Sequence, residues 1–165
     1  FTHHRFGVES VTMSGYDPEH RASAVVVVVK KGKVLLLKRG KSDPWMPGKW
    51  CFPGGGIDRG EGPFEGALRE VYEEAGLVLQ VHDILPVGMV EKGRTTVYIF
   101  IAKAPRSKVR LLDGEHSDFR WVSPDAIHSL RTIPLVKPIL RSMSTNGRSR
   151  SSSQTRTFRA NVKRR

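Results

Sequence analysis

Three glutamates, Glu70, Glu73 and Glu74, stand at spacings i, i+3 and i+4. On an α-helix those positions crowd three carboxylates together, and like charges at such spacings repel. A hard divalent cation bound through carboxylate oxygens removes the conflict, and Mg2+ shared with phosphate oxygens fits best. Arg69 lies four residues before Glu73 and can hold it in place. Just upstream runs Pro53-Gly54-Gly55-Gly56, whose glycines let the backbone take positive φ and approach a ligand closely. A carbonyl of that loop can then serve as a cation ligand. The alternative for a glutamate run is a solvated acidic helix face, and the glycine loop argues against it.

The carboxylates need a helix to present them. From Pro63 to Ala75 the apolar residues Phe64, Ala67, Leu68, Val71, Tyr72 and Ala75 form one helical stripe. Pro63 suits the first turn and Gly76 the position just past the end. The spacing therefore predicts a helix with its core stripe on one side and the carboxylates turned away from it.

The segment from Gly55 to Leu77 fits the pattern G-x5-E-x7-R-E-U-x-E-E-x-G-U, with U aliphatic. Its fixed places are Gly55, Glu61, Arg69, Glu70, Val71, Glu73, Glu74, Gly76 and Leu77. This resembles the Nudix box, the signature of Mg2+-dependent hydrolases that cut the diphosphate of a nucleoside diphosphate linked to another group X. The resemblance covers about residues 22–141 and implies an α/β fold, the Nudix α/β/α sandwich with a mixed central sheet. It implies metal ligation by the Gly54 carbonyl, Glu70, Glu73 and Glu74, with Mn2+ able to replace Mg2+. Gly55 and Gly56 would lie against substrate. Where the family usually has a glutamate, Ile57-Asp58 offers the shorter Asp58.

A second resemblance lies in Asp113-Gly114-Glu115-His116-Ser117-Asp118-Phe119-Arg120-Trp121-Val122. Many Nudix enzymes carry a glutamate in the loop before the last strand, where it binds metal or accepts the proton of attacking water. Glu115 is the candidate, with Asp113 and Glu91 as fallbacks. Either Glu70 or Glu115 would act as base while water attacks in line at phosphorus, and Arg69 completes the catalytic set. His116 is expected to face solvent, as is the pair His3-His4; His20, His82 and His128 show no ligand spacing.

At 165 residues the chain is one domain plus extensions. Its longest apolar run, Ala24 to Val29, is a buried-strand pattern far short of a membrane span. The chain begins at Phe1 and shows no secretory signal, and a true N-terminus ahead of it would be missing here. A single cysteine excludes an internal disulfide, and the reducing cytoplasm is the natural setting; Cys51, between Trp50 and Phe52, reads as a buried strand residue. Charge is uneven. Residues 144–165 carry seven Arg or Lys and no acid, which is +7 of the formal +12. This basic Ser/Arg-rich tail is expected to be disordered and to add salt-sensitive affinity for nucleic acid, or else to be a solubilising extension.

The expected domains are an N-terminal extension at 1–21, a hydrolase domain at 22–143 and the tail at 144–165. Strands are expected at Ala22 to Lys30 and Val34 to Lys38, joined by a hairpin turn, then at Trp50 to Phe52. Further strands are expected at Val78 to His82, Pro86 to Glu91, Thr96 to Lys103 and Phe119 to Val122. Ser123-Pro124-Asp125 would cap a helix toward Leu130, and Ile133 to Met143 a last helix.

Substrate choice is less legible. The family's ADP-ribose and diadenosine subgroups are marked by a proline or a tyrosine downstream of the box. Those places hold Gly93 and Thr95 here, with Pro86 and Tyr98 off register. Trp45, Met46 and Trp50 precede the box, where a base could stack on Trp45; Trp50 reads better as core. A nucleoside triphosphate is the leading expectation. An mRNA cap or RNA 5′-end hydrolase using the tail is one alternative, and a non-catalytic binding module or ribonucleoprotein component is another.

Overall fold

Residues 21–145 are described in the computed structural model of the protein. Nearly all of the expected N-terminal extension and basic tail lies outside these residues. Strand β1 (Arg21–Lys30) is the spine of the sheet. Its consecutive Val26, Val27 and Val28 are fully buried, which requires cover on both faces of the sheet because successive side chains point opposite ways. The turn at Lys31-Gly32 leads into β2 (Lys33–Arg39), paired antiparallel through Val29–Val34 and Lys30–Lys33.

Beyond that short pairing β2 leaves β1 and joins two other strands: β3 (Trp50–Cys51) and β7 (His116–Val122). On its other side β1 runs parallel to β6 (Thr95–Lys103), which pairs antiparallel with the edge strand β5 (Ile84–Lys92). The sheet is mixed. Helix α1 (Pro63–Ala75) packs on β1, and Phe64 meets Phe100 edge-on with ring centroids 6.1 Å apart. Val136, Ile139 and Leu140 of α2 (Val136–Thr145) belong to the same buried cluster as β1 and β2. The expected sandwich is what forms.

Several local expectations need correction. The glycine loop is in fact a strand, β4 (Gly54–Gly56), paired antiparallel with Ser23, Ala24 and Val25. Val78 to His82 is no strand: Val78 and Val81 are exposed, and Val81–Asp83 makes one 3-10 turn before β5. Pro124–Ser129 is a 3-10 turn rather than an α-helix, and Ser123 makes no side-chain cap. The last helix starts at Val136, three residues after Ile133.

Candidate active site

Helix α1 ends as its sequence dictates. Gly76 adopts the left-handed conformation (φ 66°) and its N–H reaches the Tyr72 carbonyl at 2.8 Å. The Ala75 carbonyl, left over at the helix end, accepts from the Arg110 N–H at 2.9 Å. That bond draws the segment between β6 and β7 across the end of α1, and Asp113 follows three residues later.

The stripe on α1 is rotated from expectation. Tyr72 is 52% exposed, whereas Glu74 is only 7% exposed. Glu74 therefore does not share a solvent face with Glu73. Its Oε2 accepts the Gly54 N–H at 2.8 Å, an anchor provided by the tight seating of β4 on β1. Gly54 sits at φ 147°, and a Cβ there would come within 2.2 Å of the Ala24 carbonyl oxygen. Gly54→Ala should therefore cost at least about 2 kcal/mol, since both backbone conformation and space oppose a side chain. Thermal unfolding measures this, and an unchanged melting temperature would contradict it.

Glu70 lies against Gly55, where a Cβ would meet its Oε1 at 2.6 Å. Glycine at this place makes room for the carboxylate. Arg69 is the hub that orders the acids. It grips Glu61 with two hydrogen bonds of 2.9 Å, gives one of 2.9 Å each to Glu70 and Glu73, and reaches the Gly56 carbonyl at 2.8 Å. The expected Arg69–Glu73 contact is present. Glu61, a fixed place of the pattern, serves as a tether: those bonds from Arg69, then one from the Asp58 N–H, hold its pKa down at about 2. Asp58 itself is exposed and stands 3.6 Å from Arg69.

Burial raises the pKa of Glu70, against the pull of Arg69. Burial raises Glu74 further, to about 9; the Gly54 N–H opposes this, while the negative charges of Glu70, Asp113 and Glu115 add to it. The same electrostatics tie the box to the segment before β7. Asp113 and Glu115 both lie within the field of Glu74. Glu115 is exposed, its N–H donating to Asp113 Oδ1 at 3.0 Å and its carbonyl accepting from Gly40. Glu91 lies on edge strand β5 opposite Thr96.

His116 departs from expectation most. It is the first residue of β7 and is buried, with Nδ1 2.7 Å from Asp113 Oδ2 and Nε2 3.9 Å from Glu74 Oε1. The three-residue spacing Asp113-x-x-His116 was the available sequence sign, masked by reading the strand as starting at Phe119. Cys51 is buried as expected, its Sγ 3.6 Å from His116 Nε2, and burial lifts its pKa to about 12, so it is a neutral thiol. Trp50 is core. Trp45 is half-exposed, with the Arg39 guanidinium 5.0 Å over its ring.

A family model described as the NUDIX domain matches residues 18–143. The chain belongs to the NUDIX family. It is a hydrolase of that family, and similarity to individual members agrees. It is 29% identical over 116 residues to the nucleoside triphosphatase NudI of Escherichia coli, covering 62% of this chain and 82% of that protein. A shorter stretch of 64 residues is 44% identical to the RNA pyrophosphohydrolase of Bartonella quintana, 36% of this chain and 37% of that one. Among solved structures, the MutT protein of Methanosarcina mazei superposes with a TM-score of 0.65 at 27% identity, covering 78% of this chain and 96% of that chain. No described helix of this NUDIX protein is long and apolar enough to cross a membrane.

Proposed function

We propose that this NUDIX protein is a Mg2+-dependent pyrophosphohydrolase that cleaves the diphosphate linkage of a nucleoside diphosphate derivative, with a nucleoside triphosphate as the leading substrate. The observation that carries it is the buried Glu74 carboxylate, anchored to the Gly54 N–H beside Glu70 and pushed toward protonation first by burial and then by its acidic neighbours. A carboxylate set so crowded fits a bound divalent cation, which would relieve its repulsion. Oxygen donors on this set suit Mg2+, with Mn2+ as a substitute. The Gly54 carbonyl, Glu70, Glu73 and Glu74 would hold it. When bound, the cation neutralises phosphate charge and acidifies a coordinated water.

The chain's own residues then divide the work. Arg69 fixes Glu70 and Glu73 so that neither swings away. Gly55 and Gly56 leave the approach to Glu70 free of side chains, where a diphosphate can lie. Glu70 or a carboxylate before β7 takes the proton of the attacking water. Trp45 offers an exposed ring for a base. The products are a nucleoside monophosphate and phosphorylated X, or pyrophosphate from a triphosphate.

Glu115 remains the first candidate for the base, and Asp113 is its rival because it is bonded to His116. Glu115→Gln should lower kcat by about a hundredfold with little change in KM, since a proton acceptor acts in the transition state. If Asp113→Asn alone has that effect, the base is Asp113.

RNA 5′-end hydrolysis is the second reading, favoured by the +7 carried on residues 144–165 and by the likeness to the Bartonella quintana enzyme. A buried single thiol suits the cytoplasm under either reading. The experiment is a panel of nucleoside triphosphates, nucleotide sugars, dinucleotides and capped or triphosphorylated RNA with Mg2+, with phosphate products identified. Deleting residues 144–165 should leave turnover of a small nucleotide nearly unchanged and weaken RNA binding in a salt-dependent way. A loss of small-nucleotide turnover would contradict a tail that serves only RNA.

A further inference from the structure

We propose that Arg39, Asp43 and Trp45 form a clasp presenting the Trp45 indole as a stacking platform for a purine, so that the chain prefers purine to pyrimidine nucleoside triphosphates. The inference deepens the nucleotide reading above and rests on it. Of the three tryptophans, Trp50 is buried, Trp121 is half-buried and Trp45 alone is exposed, at 50%. It stands between β2 and β3, in a segment without helix or strand. Exposed as it is, its backbone is held on both sides. The Trp45 N–H donates to Asp43 Oδ1 at 2.7 Å, and the Trp45 carbonyl accepts from Arg39 Nε at 2.7 Å. Arg39 Nη2 in turn donates to Asp43 Oδ2, which closes a ring of three residues. The Asp43 side chain is 7% exposed and that of Arg39 18%, so their ion pair is largely withdrawn from water. Below it the Arg39 N–H donates to the Lys49 carbonyl at 2.9 Å and the Gly48 N–H to the Arg39 carbonyl at 3.0 Å, which shuts the base of the loop.

A desolvated ion pair is a weak source of stability, and an indole left in water forgoes the gain of burial. Together they make sense where the ring is held ready for a ligand, because ordering it beforehand removes a cost that binding would otherwise carry. The place of the loop is the second support. Arg39 pairs with His116 across β2 and β7, so the loop leaves the sheet beside the segment that carries the candidate base. The Gly40 N–H donates to the Glu115 carbonyl at 2.7 Å, and a Cβ on Gly40 would stand 2.9 Å from that oxygen. The root of the loop is thus pressed against the active-site end of β7. The third support is the ring itself. The Arg39 guanidinium lies 5.0 Å from its centre, over one face, and the other face is the one open to a base. Any base can stack there, but the two fused rings of a purine overlap an indole more than the single ring of a pyrimidine does. Arg39 and Asp43 are then positioning residues, and Trp45 is the one that touches substrate.

The test compares ATP, GTP, CTP and UTP on the full chain with Mg2+. Wild type is expected to show a KM about fivefold lower for the purines. Trp45→Ala should raise the purine KM about tenfold with a much smaller fall in kcat, bringing the preference to about twofold or less. Trp45→Phe keeps a stacking ring and should recover most of the purine KM. Asp43→Asn keeps an acceptor for the Trp45 N–H but loses the charge that holds Arg39, and should raise the purine KM about threefold. A second readout does not depend on turnover. AMP should quench the tryptophan fluorescence of wild type, with half-saturation at lower concentration than CMP, and the quench should vanish in Trp45→Ala. Equal KM for purines and pyrimidines in wild type, an unchanged purine KM in Trp45→Ala, or an AMP quench that is absent or survives Trp45→Ala would overturn the platform. A wild type that hydrolyses no nucleoside triphosphate yet shows the AMP quench would instead overturn the triphosphate reading and leave the platform standing.

Discussion

Glu74→Gln is expected to lower kcat by more than a hundredfold at saturating Mg2+ while the fold persists. The substitution removes one anionic ligand and nothing else of size. The amide oxygen can still accept the Gly54 N–H that Glu74 Oε2 now accepts at 2.8 Å, so β4 and α1 remain joined. A neutral side chain is also easier to keep buried than a carboxylate. Steady-state kinetics with circular dichroism decide the matter. An unchanged kcat would remove Glu74 from the metal centre, and a lost fold would show that the Gly54 anchor depends on charge.

The second large effect concerns stability against pH. Burial first, and then neighbouring carboxylates, raise Glu74 to about 9 in the metal-free protein, above its ordinary value of 4.5. Between those two values the native state binds a proton that the unfolded chain has released. Stability therefore falls as pH rises through this window, the reverse of a salt-bridged carboxylate. The loss is on the order of a few kcal/mol by pH 9. Melting temperatures in chelator should drop from pH 5 to pH 9, and Mg2+ should offset most of the drop because it replaces the proton. Glu74→Gln should flatten the profile. A metal-free protein whose stability rises over the same range would contradict a raised Glu74.

What the sequence disclosed follows a physical pattern. The bounds of α1 were legible because Pro63 and Gly76 act through local backbone preference, and the Arg69–Glu73 pair because its spacing is helical. The sandwich was legible through its complete box. The position of Glu74 was not. Whether it points to solvent depends on Gly54 pressing against β1, a contact between segments twenty residues apart. Burial of Glu74 and exposure of Tyr72 reverse what hydrophobicity alone implies, because the helix face is rolled to bring a carboxylate inward. His116 was missed for a similar reason: β7 begins three residues earlier than its apolar pattern, and pairing with Arg39 across a bulge carries the histidine inside. Val78 to His82 has the composition of a strand, yet among the described residues no strand pairs with it.

Hydrolysis of a nucleoside triphosphate in 18O-labelled water, followed by mass spectrometry of the products, tests the central claim most directly. With Mg2+ the account predicts a nucleoside monophosphate and pyrophosphate, one 18O incorporated per cleavage, and no reaction after chelation. Orthophosphate as the sole phosphate product, or turnover that persists in chelator, would contradict it.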